Sequence, residues 1–324
     1  MGARGGIDLG GTKIQAVIVA EDNSVLGSAR RPTPTTGGPA DVAKAMTDAL
    51  TEGAEQAGLA IGDLQGVGVG SPGTIDSSAG TVSGASNLPA WSGTYSLGPE
   101  LARALGVEVH LGNDVQVATE AEFELGAGRP FQSLLGVFWG TGVGGGLILE
   151  GRRWVGRGAA GEIGHMVVKK DGARCPCGRR GCLEAYAGRA AMELRARHEI
   201  EHGASDGLLR IMRSRDRTRL TSGVWERALK AEDSLAIKLI DRAIEALGAG
   251  IASAVNLLDV EAVIIGGGLG VRFGAPFSER IAAAMRPHLF VDEHPPAVRV
   301  AELGDLGGAI GAALLATQGA PAPV

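Results

Sequence analysis

Residues 5–19, GGIDLGGTKIQAVIV, read as a strand, a glycine turn and a second strand. The alternation of Ile14, Ala16 and Ile18 suits a half-buried strand, and a third strand is expected at 24–29. Residues 134–155, LLGVFWGTGVGGGLILEGRRWV, repeat the pattern with a strand, a Gly/Thr turn, a strand, a short turn at Gly151 and a further strand. Two glycine hairpins, each opening a similar α/β unit, predict a duplicated α/β domain with both turns facing one cleft.

A bare turn such as Gly10-Gly11-Thr12 offers backbone N–H groups with no side chain over them, which is how a loop accepts phosphate oxygens. Asp8 and Lys13 flank it. GGTK is not a P-loop, because the earlier glycine is missing and a strand follows where that motif needs a helix. Taken alone, a plain hairpin turn is the better reading. Gly140, Gly142 and Gly145 satisfy G-x-G-x-x-G, but a dinucleotide fingerprint also needs a helix next, and a strand follows.

Between the hairpins the pattern gives an amphipathic helix at 40–57 and a strand at 67–69 running into Ser71-Pro72-Gly73. A loop containing SNLPAW (86–91) and a short helix at 99–105 follow. A strand at 107–111 then opens into Gly112-Asn113-Asp114, directly before a helix at 115–125. An aspartate at the carboxyl end of a strand is well placed for chemistry in an α/β fold. It is equally well placed to cap the helix, and the residues alone favour capping. Further on, Ile237, Ile240, Ile244, Leu247, Ile251, Val255 and Leu258 mark a helix at 237–258. A strand at 262–265 runs into Gly266-Gly267-Gly268 and a helix reaching His288. A strand at 298–301, a helix from 307–308 and a disordered GAPAPV tail complete the reading.

All three cysteines fall in one stretch, 161–184, GEIGHMVVKKDGARCPCGRRGCLE. Buried structural thiols scatter through a core and do not bunch in charge and glycine, and a disulfide would strand an odd thiol. Cys175, Cys177 and Cys182 with His165 make a Cys3His set suited to tetrahedral zinc. Glu162 lies three residues before His165, and Glu184 two after Cys182. With the second ring nitrogen of the histidine they suit a polyol, although solvated surface acids fit those two residues equally well. His198-Glu199-Ile200-Glu201-His202 matches H-E-x-x-H, but the segment is charged on every side and stops at Gly203, which reads as a solvated helix end.

The 324 residues are too many for one ordinary core and fit two domains. Hydrophobic content of 44% and charged content of 21% are those of a soluble globular protein. A net charge of -5 argues against nucleic acid as the main partner, although Lys169, Lys170, Arg174, Arg179 and Arg180 make the cysteine loop locally basic. No apolar run approaches bilayer length and no targeting or myristoylation signal precedes the first strand, so the expected location is the cytoplasm, without a membrane partner.

Together these motifs resemble the ROK family, the sugar kinases and related repressors of the actin/hexokinase-like superfamily, from about Gly6 to Leu315. CPCGRRGCLE after EIGH is the most specific part. DLGGT (8–12), SPG (71–73), NLPAW (87–91), GND (112–114), GTGVGGG (140–146) and GGG (266–268) follow in the family's order. The resemblance implies duplicated actin/hexokinase-like (ribonuclease H-like) domains around a central cleft. The small one is expected over 1–112 plus 308–324, and the large one over 113–307 with a zinc loop at 165–182. Asp8, Gly10, Gly11, Thr12 and Lys13, with Gly140, Thr141, Gly142, Gly144 and Gly145, would clamp the ATP phosphates. Gly266, Gly267 and Gly268 would border the adenosine. Asn87, Asn113, Asp114, Glu162, His165 and Glu184 would hold the sugar, with Asp114 as general base. Mg²⁺ would arrive with ATP, Asp8 holding its water shell, and one structural Zn²⁺ would sit in each chain.

The family's repressors carry a winged helix-turn-helix ahead of the DLGGT hairpin, which here begins within ten residues of Met1, so a kinase is expected. The implied reaction is transfer to O6 of glucose. The alternatives are N-acetylglucosamine, N-acetylmannosamine, mannose or fructose as acceptor, polyphosphate as donor, or a non-catalytic sugar-binding protein. The family implies a homodimer or homotetramer. Two departures stand on the sugar side: Val115-Gln116 where Ala-Asn is common, and NLPAW where NLPGW is usual.

Overall fold

The computed structural model describes residues 2–85 and 88–317, so Asn87 and the GAPAPV tail lie outside the described residues. The chain forms two compact units, one of residues 1–129, 153–160 and 302–324, the other of 130–152 and 161–301.

In the first unit, β1 (Arg4–Leu9), β2 (Lys13–Val19) and β3 (Val25–Pro32) form an antiparallel meander. β4 (Val67–Ser71) and, beyond a small three-stranded sheet of β5 (Thr74–Asp76), β6 (Thr81–Ser83) and β7 (Thr94–Tyr95), β8 (Val109–Asn113) extend it in parallel. The order is β3-β2-β1-β4-β8. On one face the helix Pro39–Ala57 buries Val42, Met46, Ala49 and Leu50 with Ile7, Leu9, Ile14 and Ile18. On the other face lies the helix Gly307–Leu314. It sits so close that a Cβ on Gly6 would strike the Ala309 carbonyl and one on Gly68 the Ala312 carbonyl. Glycine in these strands is the condition for that approach, which explains part of the high glycine content.

The second unit repeats this plan. β9 (Leu134–Trp139), β10 (Val143–Leu149), β11 (Arg152–Arg153), β12 (Ala262–Gly266) and β13 (Ala297–Val300) run in the order β11-β10-β9-β12-β13. As in the first sheet, the hairpin is antiparallel and the next two strands are parallel. The duplication expected from the two hairpins is present. The helix Ser234–Leu258 is capped by Asp233, whose Oδ1 accepts from Ala236 N at 2.8 Å, and its stripe of Leu239, Ile240, Ile244, Leu247 and Ile251 is buried. Ile237, expected on that stripe, is 38% exposed. No helix of the described residues is long and apolar enough to cross a membrane.

The division between units differs from the expected one at 112/113. The helix Asp114–Leu125 belongs to the first unit, where a Cβ on Gly311 would strike the Val117 carbonyl of that helix. The physical reason is Glu122. Its buried carboxylate accepts from Ala127 N at 3.1 Å where the chain leaves the unit, and from Glu302 N at 3.0 Å and Leu303 N at 2.9 Å where it returns. Residues 153–160 return as well, through an Arg153–Glu120 ion pair at 3.1 Å and a Gln116 Nε2 to Ala160 O hydrogen bond at 3.2 Å. Replacing Glu122 with Ala leaves three N–H groups without their acceptor. The expected loss is about 3 kcal/mol in urea unfolding, at ~1–3 kcal/mol per orphaned group with partial relief by water. A loss below ~1 kcal/mol contradicts the latch.

Candidate active site

In the first unit the candidate residues gather at the carboxyl ends of the parallel strands. Asp8 pairs in register with Gly70, Gly70 with Gly112 and Ser71 with Asn113. Burial pushes the Asp8 carboxyl above its ordinary value, with Lys13 pulling it down and Asp305 pushing it up. Lys13 reaches Asp305 at 3.4 Å. In the turn, Gly10 N bonds to Lys13 O at 2.9 Å. The Gly10 carbonyl accepts from the buried Thr33 hydroxyl at 2.6 Å, and the Thr12 carbonyl from Thr33 N at 3.3 Å. These two carbonyls are thereby occupied, while the N–H groups of Gly11 and Thr12 make no backbone hydrogen bond among the described residues.

Asn113, not Asp114, is the helix cap. Its Oδ1 accepts from Val115 N and Gln116 N, both at 3.1 Å. Asp114 is the first residue inside the helix, half-buried, with Oδ1 also 3.0 Å from Val115 N. The capping role that the sequence favoured for Asp114 therefore falls chiefly to its neighbour. Asn113, expected to hold sugar, has its oxygen committed and offers only its amide N–H groups. Ala90, at a position where the resemblance expects glycine, has φ 47°; this left-handed conformation costs an alanine about 1–2 kcal/mol.

In the second unit, Gly140-Thr141-Gly142 turns β9 into β10, with Gly140 N bonded to Gly142 O at 3.0 Å. Gly266–Gly268 passes straight from β12 into the helix Gly267–Met285, and Gly266 pairs with Phe138 beside this turn. Gly144 and Gly145, expected in a phosphate turn, lie within β10 opposite Phe138 and Val137. A Cβ on Gly145 would press on Ile163, so this glycine makes room for the segment that leads to His165.

That segment enters a small irregular hairpin. Val168 N bonds to Gly181 O and Leu183 N to Met166 O, and bridges pair Val167 with Cys182 and Arg174 with Arg180. Pairing across it brings His165, Cys175, Cys177 and Cys182 together, with all ligand atoms within 4.8 Å of one another. Cys177 Sγ lies 3.7 Å from Cys182 Sγ, and Cys175 Sγ 3.9 Å from His165 Nδ1. A tetrahedron with Zn–S bonds of ~2.3 Å has S···S edges of about 3.8 Å, so the set fits zinc. The Arg179 N–H holds the Cys177 thiol down, at about 7, while burial pushes Cys175 up to about 12 and raises Cys182. A divalent cation supplies the charge that buried thiolates lack. His165 presents Nε2 to Glu162 Oε2 at 3.8 Å, so its two nitrogens face different partners.

Glu184 is more than a flanking acid. Its Oε1 lies 3.9 Å from Cys175 Sγ and its Oε2 accepts from Val143 N at 2.9 Å. A Cβ on Gly142 would collide with that carboxylate. Three further contacts lace this stretch to the turn. Trp139 Nε1 donates to Ala187 O at 2.7 Å, Arg189 N to Gly140 O at 3.1 Å and Ala190 N to Thr141 O at 3.0 Å. Nothing in the sequence marks Thr33 or Arg189 as turn partners, because their donors act across the fold. The H-E-x-x-H segment ends the helix Arg189–Glu201, with His198 and His202 exposed and Glu199 bonded to Arg195 and Lys238. It is a solvated helix end.

A duplicated hexokinase-like α/β fold with a Cys3His cluster in its second half defines the class. The ROK family model matches residues 4–319, and the chain belongs to the ROK family. It is 32% identical to a glucokinase of Thermotoga maritima over 87% of this chain and 88% of that protein. It is 31% identical to an N-acetylgalactosamine kinase of Shewanella sp. over 96% and 95%. A ROK family glucokinase from Streptomyces griseus, solved in complex with glucose and AMPPNP, superposes with a TM-score of 0.85 at 31% identity, over 98% of this chain and all of that one.

Two outcomes are expected. Metal analysis finds one zinc per chain, and Cys177→Ala gives a folded protein without it; a zinc-free wild type contradicts the cluster's role. Asp8→Asn does not lower Tm. The carboxyl binds its proton more tightly folded than unfolded, so its stability contribution falls as pH rises from the ordinary 3.8 through the raised value. Asparagine removes that slope, and a Tm drop of more than ~2 °C at pH 7 contradicts the burial argument.

Proposed function

We propose that the chain is an ATP-dependent sugar kinase that phosphorylates glucose at O6. The observation that carries this reading is the division of labour at the carboxyl end of β8. Asn113 caps the helix, so Asp114 is not required as the cap in a place where an α/β fold puts chemistry. The glucose and AMPPNP bound by the Streptomyces griseus enzyme support the substrate pair.

In this reading Asp114 takes the proton of the attacking hydroxyl, a role worth about 10²–10⁴-fold in typical enzymes. Glu162, His165 and Glu184 hold sugar hydroxyls, with His165 donating through the nitrogen it does not give to the metal. The N–H groups of Gly11, Thr12, Thr141 and Gly142 receive phosphate oxygens, preorganised because neighbouring groups already hold the Gly10, Thr12, Gly140 and Thr141 carbonyls. Asp8, a hard oxygen donor, would hold the water shell of a nucleotide-bound Mg²⁺, which would neutralise charge on the phosphates. Zinc, held by His165 and the three cysteines, keeps the hairpin folded.

An N-acetylhexosamine is the second reading, favoured by the Shewanella relative. One experiment tests both levels. A coupled ADP-release assay over glucose, 2-deoxyglucose, N-acetylglucosamine and N-acetylgalactosamine is run on wild type and Asp114→Asn. Glucose is expected to give the highest kcat/KM. The variant's kcat falls by about two to four orders of magnitude with glucose affinity retained. Higher kcat/KM for an N-acetyl sugar moves the substrate to the second reading. Activity of Asp114→Asn within a few-fold of wild type removes the general base.

A further inference from the structure

We propose that Arg189 is a positioning residue for the phosphoryl donor: it commits the Thr141 hydroxyl to donating its proton to an anionic oxygen. The inference rests on the kinase reading and deepens it. Arg189 Nη2 donates to Thr141 Oγ1 at 2.7 Å, and Nη1 to Leu220 O at 3.0 Å. A guanidinium has five donors and no lone pair, whereas a hydroxyl has one proton and two lone pairs. The Thr141 proton therefore cannot be directed at Arg189 and must find an acceptor elsewhere.

The obvious local acceptors are engaged. The Gly140 and Thr141 carbonyls already accept from Arg189 N and Ala190 N, and the Thr141 hydroxyl, which accepts from Arg189, donates no hydrogen bond among the described residues. Beside it, the N–H groups of Thr141 and Gly142 make no backbone hydrogen bond among the described residues. Three donors in one exposed turn, one polarised by a cation behind it, make a receptor for a phosphate oxygen. The cation's charge is only partly offset nearby, by Coulombic attraction from Glu193. Glu193, one helical turn on, spends its carboxylate on Leu220 N, Arg197 and Arg219. Burial, and after it Arg219, weigh against the Arg189 charge, and a bound anion relieves that repulsion.

The main-chain bonds from Arg189 and Ala190 hold the turn without the arginine side chain. Arg189→Met is thus expected to keep the turn and lose only the polarising donor. Calorimetric titration of the zinc-loaded full chain with ADP, ATP and adenosine reads the effect. Arg189→Met is expected to weaken ADP and ATP about 10-fold or more, as for hydrogen bonds to charged groups. Adenosine and glucose affinities and zinc content stay at wild-type values. Thr141→Val loses ADP affinity similarly, Thr141→Ser retains it, and the Arg189→Met/Thr141→Val double variant is no worse than Thr141→Val alone.

ADP binding by Arg189→Met at wild-type strength overturns the inference and leaves the kinase reading intact. So does an equal loss for adenosine, or full additivity in the double variant. If Arg189→Met does not fold, the Thr141 pair decides: Val binding ADP like wild type overturns the inference. A wild type that binds no adenine nucleotide overturns the kinase reading and this inference with it.

Discussion

One buried carboxylate closes the first unit. Burying a charge is costly unless it is fully hydrogen-bonded, and Glu122 meets that condition with three N–H groups drawn from both ends of a long excursion. Because of it, the helix Asp114–Leu125 is seated against Gly307–Leu314, and its first turn starts at the end of β8. The position of Asp114 follows from that seating. The register of β1, β4 and β8 brings Asp8, Ser71 and Asn113 to the same end of the sheet. A contact some distance from the proposed chemistry thus fixes where the chemistry can be.

The two glycine turns solve one problem with different residues. Each has carbonyls that must be held so that its N–H groups stay available. In the first unit a single buried threonine, Thr33, does this with its hydroxyl and its own N–H. In the second, the start of a helix does it with two successive N–H groups. The second solution also connects the turn to the cysteine cluster, because the chain runs from Cys182 through Glu184 to Arg189 in eight residues. Duplication preserved the sheet order but not the bracing around it.

What was legible in the sequence was local. The hairpins, the helix around residues 237–258 and the clustering of cysteines are set by periodicity and by ligands near in sequence, and each is present. The unit boundary was not legible, because Glu122 and its partner Glu302 stand 180 residues apart and the helix pattern looks the same in either unit. Whether Asn113 or Asp114 caps depends on where the first helical residue falls, and boundaries read from sequence drift by a residue or two. A run of glycines reads as one long turn, yet β10 begins at Val143, so Gly144 and Gly145 lie within the strand, where Gly145 makes room for Ile163. Arg189 sits in a charged stretch where nothing distinguishes it from its neighbours.

The discontinuous first unit also constrains how the protein is made. Its sheet emerges within the first 113 residues, but the helix that covers the Gly6–Gly68 face begins only at Gly307. At ~5–20 residues per second, the ribosome needs roughly 10–35 s to travel from the first crossover to that helix. Over that interval the second unit, almost contiguous in the chain, has all of its own strands available. The nascent first sheet carries an uncovered face. Biosynthesis therefore favours completion of the second half before the first.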